Sequence, residues 1–160
     1  MKRIYFIRHG KSSWKENIED FDRPLAPRGE KAAELIGEYL SKHYSNRVIA
    51  AFSSAANRAK STLQIVAKHF SFSSIELQEE LYTFNNMTLQ YQIAHLENDL
   101  EEVALFGHNP AFEMLVSQFT GKRFEKFPTC ALAVVEFEEV DWKLCQKGTL
   151  IDYVVPKELG

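Results

Sequence analysis

The apolar run Ile4-Tyr-Phe-Ile7 passes without a break into the turn Arg8-His9-Gly10-Lys11. A strand of this kind, ending in a turn that carries a cation and an imidazole, constrains the fold more than any other stretch. In open α/β sheets, ligands bind where parallel strands end and their loops begin. Arg8 brings a planar fork of donors matched to phosphate oxygens. His9 brings a nitrogen that is neutral and nucleophilic near physiological pH.

Strand and helix patterns alternate along the rest of the chain. Residues 2–8 read as a buried strand and residues 10–26 as a charged loop, stiffened at its exit by Pro24 and Pro27. Residues 27–44 read as an amphipathic helix, with Ala33, Ile36, Leu40 and Tyr44 at helical spacing. A strand is predicted over 47–53, a helix over 55–70, a short strand at 75–77, a helix near 88–98 and a strand at 102–107. Pro110 suits the first turn of the next helix, with Asn109 as its cap. Residues 131–137 and 149–155 alternate in strand fashion and predict one or two closing strands. The order predicts an α/β fold, with a mostly parallel sheet covered on both faces. One domain over 1–160 is expected.

Composition narrows the partners. Hydrophobic content of 45% with 12% aromatics allows a real core. The net charge of −3 gives no global pull toward nucleic acid or anionic membranes, so any anion site is local. No apolar run approaches the ~20 residues of a membrane span, and the first residues enter a strand rather than a signal-peptide core. A cytoplasmic protein is expected, with Cys130 and Cys145 as reduced, buried thiols.

Three strand ends carry the candidate chemistry. The first gives Arg8 and His9, the second leads through Ser54 to Arg58 on a helix start, and the third gives Gly107-His108-Asn109-Pro110. His9 is expected to attack phosphorus. Arg8 and Arg58 are expected to hold the phosphate oxygens, and His108 to add a further donor. Taken singly, each has an ordinary explanation as a capping histidine or a solvated arginine, and their combination is what argues for a site. His43 and His69 lie near helix C-termini, where an imidazolium complements the dipole, and His95 lies on a polar helix face. None shows metal-ligand spacing. Gly-rich dinucleotide and P-loop signatures are absent, so neither a metal nor a cofactor is expected.

These motifs resemble those of the histidine phosphatase superfamily, also called phosphoglycerate mutase-like, and its compact SixA-like branch most. Arg8-His9-Gly10-Lys11-Ser12-Ser13-Trp14, Asp22-Arg23-Pro24-Leu25 with Arg28-Gly29, and Gly107-His108-Asn109-Pro110 carry the likeness, which runs from the first strand to Pro156. It implies a three-layer α/β/α sandwich of the phosphoglycerate mutase-like kind, too small for the capping insertions of larger relatives. It implies a phosphatase working through phosphohistidine at His9 and acting on phosphohistidine of a signalling protein. Two rival readings are a phosphatase of small phosphate esters and a non-catalytic module that binds phosphoproteins. Lys15 stands where many mutase-type relatives carry a phosphate-touching Asn, and Ser12, Arg23 and Asn109 are further candidate contacts. Arg23 could equally pair with Asp22, and Trp14 is expected to pack. Glu79 fits the mutase spacing of a proton donor (Leu-x-Glu-x-x-Tyr). Glu80 fits the Glu-Leu of the compact branch, which is described as lacking the acid. Oligomeric state is not legible in the sequence.

Overall fold

A computed structural model describes residues 1–15 and 17–160. Six strands form one sheet: β1 (Lys2–Arg8), β2 (Ala50–Ser54), β3 (Ser74–Gln78), β4 (Glu102–Gly107), β5 (Leu132–Phe137) and β6 (Thr149–Val154). Their order is β3-β2-β4-β1-β5-β6. The pairs β1·β4, β2·β4 and β2·β3 are parallel, while β5 runs antiparallel to both β1 and β6. The sheet is therefore mostly parallel, and the C-terminal third supplies two closing strands.

Helices α1 (Pro27–His43), α2 (Asn57–Val66), α3 (Asn86–Ala94) and α4 (Ala111–Thr120) cover the two faces. Alternation along β1 sorts the cores. Ile4 and Phe6 join Leu89, Ile93, Phe112 and Leu115 from α3 and α4. Tyr5 and Ile7 join Ile36, Leu40, Leu63 and Val66 from α1 and α2. A strand buried on both faces reads as a continuous apolar run, which explains Ile4–Ile7.

The element ends follow local chemistry. Pro27 opens α1, where its missing N–H costs nothing. The Asn85 side chain accepts from the Met87 and Thr88 amides and starts α3 earlier than predicted. Gly121, at φ 72°, closes α4 in the left-handed region that glycine adopts freely. Strand β2 begins at Ala50 rather than residue 47, because Val48 is 75% exposed and joins no ladder. Helix α2 stops at Val66, where Lys68 and His69 donate three residues back and tighten the last turn. Pro110 stands just ahead of α4 rather than inside it.

The register places the site. Arg8 lies opposite Gly107, and Ser53 opposite Phe106. The carboxyl ends of β1, β2 and β4 therefore finish side by side. The first turn of α1 packs directly on the loop after β1. A Cβ on Gly29 would lie 2.2 Å from the Lys11 carbonyl oxygen, and one on Gly10 would lie 2.8 Å from that of Gly29. Only glycine permits this approach of two backbones.

Candidate active site

His9 follows β1 directly and is 7% exposed. Its amide donates to the Gly107 carbonyl, and its carbonyl accepts from the Cys130 amide, so backbone on both sides fixes the residue. Thr62 Oγ1 bridges two site segments. It accepts from the Gly10 amide at 2.9 Å and donates to the Arg58 carbonyl at 2.7 Å.

Two hydrogen bonds define the His9 tautomer. Nδ1–H donates to the Gly10 carbonyl at 2.7 Å, and Nε2 accepts from Arg58 Nε at 3.4 Å. The lone pair therefore sits on Nε2, on the side of Arg58. Burial pushes the His9 pKa down to about 4; the Gly10 bond opposes this, and the charges of Arg58, Arg8 and Arg23 add to it. The ring is neutral at pH 7, as a nucleophile requires.

His108 is 1% exposed, with its ring centroid 5.2 Å from that of His9. Arg58 Nη2 donates to its Nδ1 at 3.4 Å, which leaves Nε2–H to donate to Ser54 Oγ at 2.8 Å. Burial lowers its pKa to about 3, helped by the nearby His9 and Arg58. Tyr82 and Phe84 set their ring edges against it, at 5.3 and 5.4 Å between centroids.

Arg58 is 2% exposed and comes from the first turn of α2. Asp20, in a 3-10 turn at Asp20–Asp22, holds it from two sides. The Asp20 carbonyl accepts from Nη1 at 2.7 Å and Oδ2 accepts from Nη2 at 3.0 Å. Oδ2 also accepts from the Tyr82 hydroxyl at 2.5 Å, and Oδ1 pairs with Arg23 Nη2 at 2.9 Å. Partial burial works to raise the Asp20 pKa. The hydrogen bonds from Tyr82 and Arg58 and the charges of Arg58 and Arg23 outweigh it and hold the carboxyl below its usual range. Asp20 is thus a fixed anion that aims two arginines.

Arg8 donates through Nη1 to the Phe127 carbonyl at 2.8 Å. Asn109 Nδ2 donates to the same carbonyl at 3.1 Å, and Asn109 Oδ1 accepts from the Glu113 amide, so this residue caps α4 and braces Arg8. Arg8 Nε, Arg23 Nε and Arg23 Nη1 are buried donors with no partner among the described residues. Buried donors are rarely left unpaired, so these three are positioned to take acceptor oxygens.

The sequence-predicted quartet Arg8, His9, Arg58 and His108 therefore gathers in one pocket. Arg23 joins it, pairing with Asp20 rather than Asp22. Its guanidinium lies 3.5 Å over the Trp14 ring. Trp14, expected to pack, is 78% exposed, and its packing is limited to one face, covered by Arg23. Ser12 is buried in a bridge to Leu25, and Lys15 is exposed beside Trp14, Asp20 and Arg23 around a cavity of 480 Å³. Glu79 and Glu80 are exposed in a 3-10 turn, and among the described residues neither bonds to the quartet. Sequence reasoning missed Asp20, Ser54, Thr62 and Tyr82 as parts of the site. Asp20 stands three residues before Arg23, a spacing that could have suggested the pair. Among the described residues, no three His, Cys, Asp or Glu side chains gather as metal ligands.

The family description of the histidine phosphatase superfamily (branch 1) matches residues 4–92. An uncharacterized protein of Mycobacterium tuberculosis strain H37Rv is 30% identical over 164 residues, covering 94% of this chain and 100% of that protein. The solved structure of the protein histidine phosphatase SixA complexed with tungstate superposes with a TM-score of 0.83 at 25% identity, covering 99% of each chain. A structure from Agrobacterium tumefaciens, assigned as a phosphohistidine phosphatase SixA, superposes with a TM-score of 0.82 at 28% identity, covering 97% of this chain and 98% of that one.

Proposed function

The chain belongs to the histidine phosphatase superfamily, in its SixA-like branch, and on that premise we propose that this phosphatase removes the phosphoryl group from phosphohistidine on partner proteins through a phosphorylated His9. The observation that carries the proposal is the His9 ring itself. Gly10 holds Nδ1–H, so the lone pair is on Nε2, where the long 3.4 Å bond from Arg58 Nε points it into the site. The SixA relative forms a complex with tungstate, a tetrahedral oxyanion, which supports oxyanion binding by this fold.

The reaction has two displacements. His9 Nε2 attacks phosphorus, a new P–N bond forms, and the P–N bond to the substrate imidazole breaks. The substrate ring leaves as neutral imidazole because its far nitrogen carries a proton taken from solvent. Water then attacks phospho-His9, its proton passing to the phosphate or to solvent, releasing inorganic phosphate and restoring the neutral ring. Arg58, Arg8 and Arg23 neutralise the equatorial oxygens, which is most of what phosphoryl transfer asks of a protein. His108 begins neutral, with Nδ1 accepting from Arg58. That bond helps to aim the Arg58 guanidinium.

The leaving group decides the substrate class. Asp20 is held ionised between Arg58, Arg23 and Tyr82, so it is a poor proton donor. Glu79 and Glu80 lie exposed, without a bond to the quartet. An alkoxide leaving group needs an acid worth ~10²–10⁴-fold, whereas an imidazole leaves with little help. Phosphohistidine fits this pocket better than a phosphate ester does. The buried free thiols Cys130 and Cys145 suit a reducing compartment such as the cytoplasm.

A panel of phosphohistidine protein, phosphoserine peptide and small phosphate esters tests the reading. Phosphohistidine should give the highest kcat/KM, chelators should leave it unchanged, and a rapid quench should trap an acid-labile, base-stable phosphoenzyme. Comparable kcat/KM on a simple ester would move the assignment to the small-ester phosphatases. Tight binding without turnover of any of them would leave a phosphoprotein-binding module.

A further inference from the structure

We propose that a basic groove beside the active site docks an acidic surface of the phosphorylated partner, next to its phosphohistidine. The proposal rests on the phosphohistidine reading and adds the chemistry of the partner.

The groove has a volume of 1240 Å³, above the range of about 300–1,000 Å³ usual for small-molecule pockets. It is sized for a polypeptide segment. Seven cations and two carboxylates, Glu125 and Glu158, line it, on a chain whose net charge is −3. Lys11, Arg28 and Lys31 come from the loop after β1 and the start of α1; Lys122, Arg123 and Lys126 come from the segment after α4; Lys157 follows β6. All are exposed, and none forms an ion pair among the described residues. Arg3, Arg23, Arg47 and Arg58, by contrast, each pair with a carboxylate. Like charges crowded without counter-ions repel one another, and an acidic partner relieves that repulsion.

The floor is apolar. Half-buried Leu35, Phe124, Tyr153 and Val155 line it, and the Phe124 and Tyr153 rings lie 4.8 Å apart. An apolar centre rimmed by one sign of charge has the anatomy of a protein interface. The groove also reaches the site. Lys11 follows the His9-Gly10 turn, and Pro128 and Thr129 lie between Phe127, whose carbonyl holds Arg8, and Cys130, whose amide holds His9. A partner seated here presents a side chain to His9 along the same surface.

Two measurements test it. The first compares synthetic phosphohistidine peptides of equal length, flanked by glutamates, glutamines or lysines. At low salt the wild-type enzyme should favour the glutamate peptide in kcat/KM by about tenfold over glutamine, and the preference should vanish as ionic strength rises. Arg28→Glu/Lys31→Glu/Lys122→Glu/Lys126→Glu, all at exposed positions outside the catalytic quartet, should reverse the order while hydrolysis of phosphoramidate stays within about twofold of wild type. Equal rates on the glutamate and glutamine peptides, or an unchanged order in the variant, overturn the proposal. The second is independent of catalysis: a fluorescent, unphosphorylated glutamate-rich peptide should bind the wild type and not the variant. If the enzyme proves inactive on every phosphohistidine substrate, this titration still decides the docking surface on its own. Tighter binding to anionic vesicles or to polyuridylate, lost in the same variant, would assign the groove to another class of partner and overturn it too.

Discussion

The two ends of the central sheet handle buried charge in opposite ways. At the amino end of β1, Arg3 pairs with Glu136 at 2.6 Å, Arg47 pairs with Glu102 at 2.6 Å, and the Tyr5 hydroxyl donates to Glu102 at 2.6 Å. Two arginines face two carboxylates. At the carboxyl end, three arginines and two histidines meet two carboxylates, Asp20 paired with Arg58 and Arg23, and Glu113 near Arg8, and three guanidinium N–H groups are buried without partners among the described residues. A balanced cluster ties together the central strands β4, β1 and β5. An unbalanced one leaves buried positive charge uncompensated, and on the proposed function a phosphate dianion supplies the compensation.

The largest expected effect at the unbalanced end comes from the nucleophile. His9→Ala removes the proposed nucleophile, so kcat should fall on the order of 10⁴-fold or more. The phosphoenzyme band should disappear from a rapid quench, and thermal unfolding should stay cooperative. Substantial residual turnover with a trapped intermediate elsewhere would show that the cluster is centred on another residue.

Arg58→Lys comes next. Lysine keeps the charge but loses the planar fork that reaches Asp20, His9 and His108 together. A fall in kcat of about 10²–10³-fold is expected, the scale of one lost transition-state donor. Vanadate should bind correspondingly less well. Full activity would mean that charge alone, without the aimed geometry, is enough.

The carboxyl end responds to pH through its two histidines. His9 and His108 titrate near 4 and 3 in the folded protein, against an ordinary value of 6.5. The unfolded chain therefore binds protons more readily in this window. The stability that depends on keeping these rings neutral is complete above 6.5 and is lost as pH falls from there toward 4 and then 3. The acid limb of kcat/KM should lie near 4, and an NMR titration of the two rings should place both well below 6. A His9 titration at 6–7 in the free enzyme would remove the case for a desolvated, neutral nucleophile.

How much of this contrast a sequence reveals depends on what sets each contact. The quartet was legible because each member sits at a strand end or helix start, and strand order brings such ends together. The α/β layering was legible for the same reason: Ile4–Ile7, Ile36–Leu40 and Val103–Phe106 announce their elements by period. Asp20 and Tyr82 were not, because their meeting depends on the path of the 10–26 loop across the site, which no period encodes. Trp14 was read only in part because an aromatic in a loop is ordinarily packed, whereas here an arginine covers one face. Strand β3, exposed along most of its length at the sheet edge, gave only a weak signal.

The smallest expected effect on activity comes from one substitution at the balanced end, and its value lies in a matched partner. Glu102→Gln and Asp20→Asn are the same chemical change, carboxylate to amide, at opposite ends of the sheet. The Glu102 side chain is 13% exposed and serves Arg47, Arg3 and Tyr5. Its loss leaves two buried or half-buried cations with only Glu136 for compensation, which should cost about 1–3 kcal/mol of unfolding free energy. Because no bond links Glu102 to the quartet, kcat/KM should remain within about twofold of wild type, inside the scatter expected when no transition-state contact is removed. The Asp20 side chain is 45% exposed, so Asp20→Asn should change stability little. It should nevertheless lower kcat by roughly tenfold, because Arg58 and Arg23 lose the anion that aims them. Urea unfolding and steady-state kinetics on both variants read the two effects separately. If Glu102→Gln costs activity and Asp20→Asn costs stability instead, the division of labour between the ends of the sheet is wrong.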